Sequence, residues 1–278
     1  MKKINRRSFL AAAGLTAAAL ALTACGGSAS STASSTASSA ASSEAASTSA
    51  AAELTTVEAG KLTMATNATF PPYEMTTDSG EIEGIDVDTA KAIAEKLGLE
   101  LQIDDMDFDA ALLSVQQGKA DIVMAGVTVT DERKAVMDFS DSYATGIQSI
   151  IVPEGSDIAS PDDLAGKKIG TQRGTTGYIY CSDDFGDDAV VAYDDGLTAV
   201  QALKNGQVDA VVIDNASAEE YVAANPGLVI LDTSYAEEDY AIGMAKGSAL
   251  EDAVNAALEE LKADGTLQSI VDKYITAE

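Results

Sequence analysis

The chain has 278 residues, with 45 acidic side chains against 17 lysines and arginines, no histidine and two cysteines. This length allows one or two domains with a buried core. A net charge of −28 argues against binding to nucleic acid or to an anionic membrane surface, since both need basic patches. The absence of histidine excludes Ser-His-Asp and Cys-His catalysis and histidine-ligated zinc, and two cysteines cannot form a zinc-thiolate cluster. Metals held by carboxylates alone remain possible on composition. Our expectation for the whole sequence is nevertheless no catalytic residue, no metal and no cofactor.

Residues 1–24 have the features of a secretory signal peptide. Basic residues precede an apolar run, Ser8 to Ala24, that is short for a membrane span. The run ends in LTAC, which resembles the lipobox of bacterial lipoproteins. We therefore predict that Cys25 carries a lipid anchor and that the protein lies on the outer face of the cytoplasmic membrane. An uncleaved anchor helix is the alternative, and NRRSFL resembles a twin-arginine signal, so the export route stays open.

Residues 25–53 predict a tether between the anchor and the folded body. After Cys25 they are almost all serine, alanine, threonine and glycine, with SSTASSTASSAASS repeating through the middle. Such a segment cannot bury enough apolar surface to offset the entropy cost of ordering. The folded body is expected to begin near Leu54.

From residue 61 onward, strand patterns alternate with helical ones. An amphipathic helix is predicted over 86–97, with Gly98 as its C-terminal stop, and Ser160 is predicted to cap a helix that begins at Pro161. Further helices are predicted over 109–117, 249–261 and 267–274. Strands are predicted over 62–66, 80–87, 100–104, 121–126, 147–152, 168–171, 190–193, 210–213 and 228–231. Strands that alternate with helices indicate an α/β class with parallel sheets.

One stretch of the sequence occurs twice. SVQQGKADIVMAG (114–126) and QALKNGQVDAVVID (201–214) share a helix end, a glycine, an aspartate and then a buried strand. The repeat favours two domains of similar build. It also places Gly126 and Asp214 at the carboxyl ends of equivalent strands, where open α/β sheets bind ligands.

The ordered set of motifs from about Lys61 to Tyr274 resembles a known family. GIDVD before a helix, FPPYE, DIVMAGVTVTDERK, QRGTTG, AIGMAKGS and LKADGTLQSIVDKY are similar to those of the bacterial extracellular solute-binding proteins of family 3. These proteins are the capture subunits of ABC importers for polar amino acids. Thr89 departs from the family pattern, which usually has an aliphatic residue there. The resemblance implies a two-domain, type II periplasmic-binding-protein-like α/β fold with the ligand cleft between the domains and two crossover strands.

The resemblance also assigns a role to individual residues. Arg133, Thr128 and Thr176 match positions that hold the ligand carboxylate, and a guanidinium can grip a carboxylate with two hydrogen bonds. Asp214 and the carbonyl of Gly126 match positions that hold the ammonium group. The remaining predicted ligand-binding residues are Asn67, Phe70 and Phe108, which match positions around the ligand side chain.

Several of these residues also have a plain structural interpretation. Arg133 can be a solvated charge, Asp214 a helix cap, and Phe108 a core residue. An amide at Asn67 cannot neutralise a buried cation, so an uncharged polar amino acid such as cystine or glutamine is favoured, although the sequence does not identify it. Gln172 and Tyr178 are further cleft candidates. Cys181 is expected to be an inert, partly buried thiol, and CSDDFGDD (181–188) to be a solvated charge run rather than a calcium loop.

The resemblance implies domain 1 at 54–144 plus 242–278 and domain 2 at 145–241, with closure around the ligand. The expected partners are a small polar amino acid and the permease subunits in the membrane, and the protein itself is expected to be a monomer. One alternative is an enzyme on the same fold, similar to cyclohexadienyl dehydratase, with Glu74 or Asp214 as acid or base. The other is a tethered sensor that reports the ligand to a partner.

Overall fold

The computed structural model describes residues 54–275. The predicted signal peptide, Cys25, the tether and the last three residues lie outside the described residues. The described part is an α/β fold with two main sheets, as the sequence predicts. Within it, no helix combines the length and the apolar character that crossing a bilayer needs.

The first stretch of chain builds most of one lobe, called lobe 1. Its sheet has the order β5-β1-β6, and a small second sheet has the order β2-β3-β4. The elements are β1 (Lys61–Thr66), β2 (Thr69–Phe70), β3 (Glu74–Thr76), β4 (Ile82–Glu83), α1 (Ile85–Leu97), β5 (Glu100–Asp105), α2 (Phe108–Gln116), β6 (Ile122–Val123), α3 (Asp131–Lys134) and β7 (Met137–Phe139).

The middle stretch builds lobe 2 around a six-stranded sheet, with the order β10-β9-β11-β8-β12 and β13 paired to β8. Its strands are β8 (Ala144–Pro153), β9 (Ile169–Gln172), β10 (Val190–Tyr193), β11 (Ala210–Asp214), β12 (Leu228–Ile230) and β13 (Ala236–Tyr240). Its helices are α4 (Thr176–Phe185), α5 (Gly196–Lys204) and α6 (Asn215–Ala224), with short 3-10 helices at Pro161–Leu164 and Asp187–Ala189.

The chain then returns to lobe 1. It completes the first sheet with β14 (Gly243–Ala245), which lies between β6 and β7, and ends in α7 (Glu251–Ala263) and α8 (Thr266–Tyr274). The two crossings between lobes run along β8 and β13, which pair antiparallel from Ala144 opposite Tyr240 to Gln148 opposite Ala236. The lobes are therefore joined by two strands that lie side by side.

The prediction of parallel sheets is correct only in part. β1 runs parallel to β5 and β6, and β9 runs parallel to β10 and β11. By contrast, β14 is antiparallel to β6 and β7, and β8 is antiparallel to β11, β12 and β13. A parallel neighbour requires a crossover connection within the sheet. Because β8 and β14 enter their sheets from the other lobe, the alternation of strands and helices does not set their direction.

Two predicted strands are too long. Only Ile122–Val123 of the segment 121–126 is a strand, because the chain leaves the sheet and turns at Gly126, whose φ is 56°. In the segment 80–87, only Ile82–Glu83 is a strand, and α1 begins directly after it. Both shortened strands lead into segments that line or support the pocket described below.

The internal repeat has the same helix end in both copies, although the strand that follows has two residues in the first copy and five in the second. Gly118 and Gly206 have φ of 66° and 68°, the left-handed conformation that ends a helix. The carboxylate of Asp121 accepts a hydrogen bond from the N–H of Thr63 at 2.8 Å, and that of Asp209 accepts one from the N–H of Lys168 at 2.7 Å. Asp121 thus ties the start of β6 to the middle of β1, and Asp209 ties the start of β11 to the residue just before β9.

Candidate functional site: a pocket between the lobes

One pocket lies between the lobes, and the empty space within it, including space open to solvent, is about 400 Å³. The structure brings all eight predicted ligand-binding residues into its lining, namely Asn67, Phe70, Phe108, Gly126, Thr128, Arg133, Thr176 and Asp214. The rest of the lining consists of Glu74, Ala125, Gln148, Gln172, Thr175, Ile213 and Tyr240. Their contact with a ligand stays a prediction.

Arg133 is buried and held in place by both lobes. One terminal nitrogen of its guanidinium donates a hydrogen bond to the carbonyl of Thr128 at 2.8 Å. The other donates to the carbonyl of Gly174, in lobe 2, at 3.2 Å. Its guanidinium carbon lies 5.4 Å from the ring centroid of Phe108. A guanidinium has five N–H donors. The remaining donors of this oriented group can therefore bind an anion in the pocket, so Arg133 is not the solvated charge that the sequence also allows.

The two threonines of the predicted carboxylate site meet across the lobe boundary. The hydroxyl oxygens of Thr128 and Thr176 are 3.3 Å apart, and Thr128 donates to Glu238 at 3.0 Å. Gln148 donates to the same Glu238 oxygen at 3.0 Å. Thr176 is the first residue of α4, and a helix N-terminus favours a negative charge. Together with Arg133, this end of α4 provides a positive charge and helix N-terminal N–H groups that suit a carboxylate, with the carboxylate of Glu238 beside them.

Burial lowers the pKa of the Arg133 guanidinium, and the nearby Glu238 acts in the opposite direction. An arginine nevertheless stays charged in a protein. No ion pair within 4 Å involves Arg133 among residues 54–275. The pocket therefore contains a positive charge that hydrogen bonds orient but no carboxylate neutralises at close range.

Asp214 is both a pocket residue and a helix cap. One oxygen accepts hydrogen bonds from the N–H groups of Ala216 and Ser217, at 2.9 and 3.3 Å, and so caps α6. The other accepts from the N–H of Ile147 at 3.2 Å and from the hydroxyl of Tyr240 at 3.1 Å. Burial raises the pKa of Asp214 to about 6, although these hydrogen bonds act to lower it. The carboxylate is thus oriented in the pocket and is sensitive to charge near it.

Two aromatic rings form apolar walls. Phe108 begins α2 beneath Arg133, and Phe70 stacks on Tyr73 at 5.6 Å between ring centroids. Gly126 has no side chain at the point where Phe70 approaches, since a Cβ there would lie 2.8 Å from the Phe70 ring. A larger residue would displace the ring. This close approach explains why glycine follows the shortened strand β6.

Asn67 faces Gln172 from the opposite lobe. Its side-chain oxygen accepts hydrogen bonds from Gln172 at 2.8 Å and from the Thr69 hydroxyl at 3.0 Å, while its nitrogen donates to the carbonyl of Met106 at 3.0 Å. A carboxamide has two acceptor sites and two donor hydrogens. Asn67 therefore retains one N–H donor and no further acceptor site.

A buried pair of carboxyl groups adjoins the pocket. Glu74 lines it and is fully buried, and neither of its oxygens has a hydrogen-bond partner within the described range 54–275. Burial, and then the neighbouring Asp86, raise the pKa of Glu74 well above its usual range. Asp86 accepts a hydrogen bond from the N–H of Gly126 at 3.0 Å, and burial raises the pKa of Asp86 to about 6. These groups favour a proton, or a positive charge, close to the pocket.

Sequence reasoning misses part of the lining. Gln148 and Tyr240 lie on β8 and β13, in segments without a recognisable motif, and reach the pocket because these strands cross between the lobes. Glu74 appears in the sequence only as a candidate enzyme acid, and its place in FPPYE is the signal that could have pointed to it. Of the two further cleft candidates, Gln172 lines the pocket and Tyr178 does not.

Cys181 and the acidic run lie away from the pocket. Cys181 is fully buried, more than the partial burial expected of it, and packs in the core of lobe 2 with Ile150, Leu164 and Ile169. The run 181–188 belongs to the end of α4 and the turn after it. No group of three or more His, Cys, Asp or Glu residues that could hold a metal ion occurs in residues 54–275.

Comparison with known proteins gives consistent matches over the whole described part. The model of the bacterial extracellular solute-binding proteins, family 3, matches residues 62–277. A probable histidine-binding protein of Neisseria gonorrhoeae is 33% identical over 99% of this chain and 98% of its own length. The L-cystine-binding protein TcyJ of Escherichia coli is 33% identical over 80% of this chain and 85% of its own length.

A solved structure gives the same result for the fold. An ancestral arginine-binding protein bound to glutamine superposes with a TM-score of 0.75 at 44% identity, covering 78% of this chain and 99% of the other. The chain belongs to the bacterial extracellular solute-binding proteins of family 3.

Proposed function

We propose that this protein is the extracytoplasmic substrate-binding subunit of an ABC importer and captures a polar amino acid by closure of its two lobes. One observation supports this proposal most directly. The same buried pocket contains a guanidinium and a carboxylate, Arg133 and Asp214, that form no ion pair with each other. Buried charges are costly unless they are paired. A zwitterion such as an amino acid supplies the opposite charge for both.

In this proposal the ligand carboxylate binds to Arg133 and to the start of α4, with the backbone N–H groups of Thr128 and Thr176 as further donors, since the Thr128 hydroxyl already donates to Glu238. The ammonium group binds to Asp214 and to the carbonyl of Gly126. Phe70 and Phe108 enclose the ligand side chain, and Asn67 faces its tip.

The ligand class is a polar amino acid. Relatives named for histidine and cystine, and an arginine-binding protein bound to glutamine, support the class without selecting a member. The one remaining N–H of Asn67 can donate a hydrogen bond to a ligand oxygen or sulfur. The amide oxygen has no acceptor site left for a cationic donor. Asn67 by itself therefore favours an uncharged side chain, such as that of glutamine or cystine, whereas an ionised Glu74 in the pocket lining would favour a cationic one.

The contacts proposed for one ligand come from both lobes. Arg133 and Thr128 belong to the proposed domain 1 (54–144 plus 242–278), whereas Thr176 and Asp214 belong to the proposed domain 2 (145–241). A ligand that touches both stabilises the closed form more than the open one, which is the differential affinity that closure needs. The closed form would deliver the ligand to the permease.

We further propose that the protein binds its ligand without transforming it. An enzyme would need a general acid or base positioned on the substrate. Asp214 already accepts four hydrogen bonds, and an ammonium partner would make it a poor base.

We also propose that Cys25 is lipidated and holds the protein, as a monomer, on the outer face of the cytoplasmic membrane. Labelling with a radioactive fatty acid, with Cys25→Ala as the control, would test the lipid anchor.

The function is tested by thermal unfolding of protein that has been refolded from denaturant to remove bound ligand. Each proteinogenic amino acid and cystine is added in turn. Ligand at about 100 times its dissociation constant adds about 2.7 kcal/mol to the free energy of unfolding. For a body of this size the midpoint should rise by roughly 5–10 °C. The absence of a shift with every amino acid would refute the proposal.

A further inference from the structure

The loop that carries Phe70 is held by both lobes in an alternating pattern. Of its four consecutive carbonyl groups, those of Phe70 and Pro72 accept hydrogen bonds within lobe 1, from the N–H groups of Tyr73 and Ile85, both at 3.0 Å. The other two, of Thr69 and Pro71, accept hydrogen bonds from lobe 2. The donors are the Tyr221 hydroxyl, 2.7 Å from the Thr69 oxygen, and the Ser217 hydroxyl, 2.6 Å from the Pro71 oxygen.

The two lobe 2 donors share one face of α6. Ser217 and Tyr221 are four residues apart, so their side chains lie one above the other along the helix. Both are buried, and the Tyr221 ring lies against Gly196, where a Cβ would come within 3.1 Å of it. Burial raises the pKa of Tyr221, so its hydroxyl stays protonated and able to donate. The face is buried and lies close to the loop.

The same helix is capped by a pocket residue. Asp214 accepts a hydrogen bond from the N–H of Ser217 in the first turn of α6. The loop that this helix holds contains Phe70, which lines the pocket. Neither Ser217 nor Tyr221 belongs to the pocket lining. Helix α6 therefore connects Asp214, on the lobe 2 side of the pocket, to the Phe70 loop on the lobe 1 side through hydrogen bonds that do not involve the ligand.

We propose that Ser217 and Tyr221 are positioning residues that hold the Phe70 loop of lobe 1 against helix α6 of lobe 2, and so set how long the closed protein retains its amino acid. This inference rests on the proposed function. Opening the lobes breaks both hydrogen bonds, whereas selection among amino acids depends on pocket residues that the variants leave in place. Their loss accelerates ligand release by the same factor for every amino acid that binds.

The test compares Tyr221→Phe and Ser217→Ala with the unchanged protein. Dissociation of radiolabelled L-glutamine and L-cystine, or of whichever amino acid raises the unfolding midpoint, is followed after addition of excess unlabelled ligand. A net hydrogen bond corresponds to roughly a two- to tenfold change in an equilibrium constant. We expect each variant to release ligand roughly two- to tenfold faster, with an almost unchanged association rate.

Tyr235→Phe is the matched control. The hydroxyl of Tyr235 donates to Asp184 at 2.7 Å, the same distance as in the Tyr221 hydrogen bond, but both partners lie in lobe 2. This variant loses folding stability and retains the dissociation rate. Small-angle scattering of the ligand-free proteins gives a second measurement. Removing a hydrogen bond that only the closed form makes lowers the fraction of closed molecules, so the Tyr221 and Ser217 variants have the larger radius of gyration.

Each outcome distinguishes the two proposals. If amino acids bind and the Tyr221 and Ser217 variants release them at the unchanged rate, the positioning role is refuted and the transport function stands. A release rate that rises equally in Tyr235→Phe also refutes it, since the effect then reflects stability alone. If no amino acid binds, the proposed function fails, and scattering alone decides whether the contact holds the lobes together.

Discussion

Replacing Arg133 by alanine should remove most of the ligand affinity. Arg133 is 9% exposed and donates to the carbonyl of Thr128 within its own lobe, which orients its remaining donors before the lobes close; the hydrogen bond to the carbonyl of Gly174 in lobe 2 belongs to the closed arrangement. A hydrogen bond to a charged group contributes about 1.5–3 kcal/mol. Two such bonds to a carboxylate therefore correspond to about 3–6 kcal/mol, or a dissociation constant about 10²- to 10⁴-fold higher.

The measurement is isothermal titration calorimetry with the amino acid that the thermal screen identifies. Arg133→Lys retains the charge but loses the planar pair of donors, and should weaken binding by an intermediate factor. Arg173→Ala is the matched control. The side chain of this arginine is 55% exposed and forms a salt bridge with Asp194, which is also exposed. An Arg133→Ala protein that folds and binds with unchanged affinity would refute the assignment of the carboxylate site.

The remaining predictions concern pH, closure, the pocket wall and Cys181. Because Asp214 has a pKa of about 6, an ammonium ligand must displace its proton in acid, and affinity should fall roughly tenfold between pH 7.5 and pH 5 by calorimetry. The stability of the ligand-free protein should show the opposite trend. Because the pKa values of Asp86 and Asp214 are raised, the folded state binds more protons than the unfolded state between about pH 4 and pH 6. The free energy of unfolding, measured in urea, should therefore fall as the pH rises through that window. Saturating ligand should reduce the radius of gyration measured by scattering. Gly126→Ala should weaken binding at least tenfold, because φ of 56° and a Cβ 2.8 Å from the Phe70 ring both oppose it, whereas Cys181→Ser should leave affinity unchanged.

Each of these predictions has a result that contradicts it. Affinity independent of pH from 5 to 7.5 would show that the Asp214 carboxylate does not meet the ligand cation. For closure, an unchanged radius of gyration with a tightly bound ligand would show that the lobes do not move. Normal affinity in Gly126→Ala would show that the contact between this residue and Phe70 does not shape the pocket.

Much of the fold and of the candidate site could be predicted from the sequence, because the signals are local. The apolar face of α1 with Gly98 as its stop, and the capping box at Ser160, depend on residues within one or two turns. The motif order placed eight residues that the structure brings into one pocket, from Asn67 to Asp214. Zero histidine and the lipobox-like ending needed no structure at all.

Only the tertiary structure decided how the lobes meet. The antiparallel pairing of β8 with β13 brings Gln148 and Tyr240 to the pocket, and the contact of Tyr221 with Thr69 joins residues 152 positions apart. Asp214 caps α6 through one oxygen and also lines the pocket, so the helix-cap interpretation is correct and its contact with a ligand ammonium group stays a prediction. Local patterns set which residues can form a helix or a strand, but such long-range contacts arise from packing two folded lobes, and no periodicity along the chain encodes them.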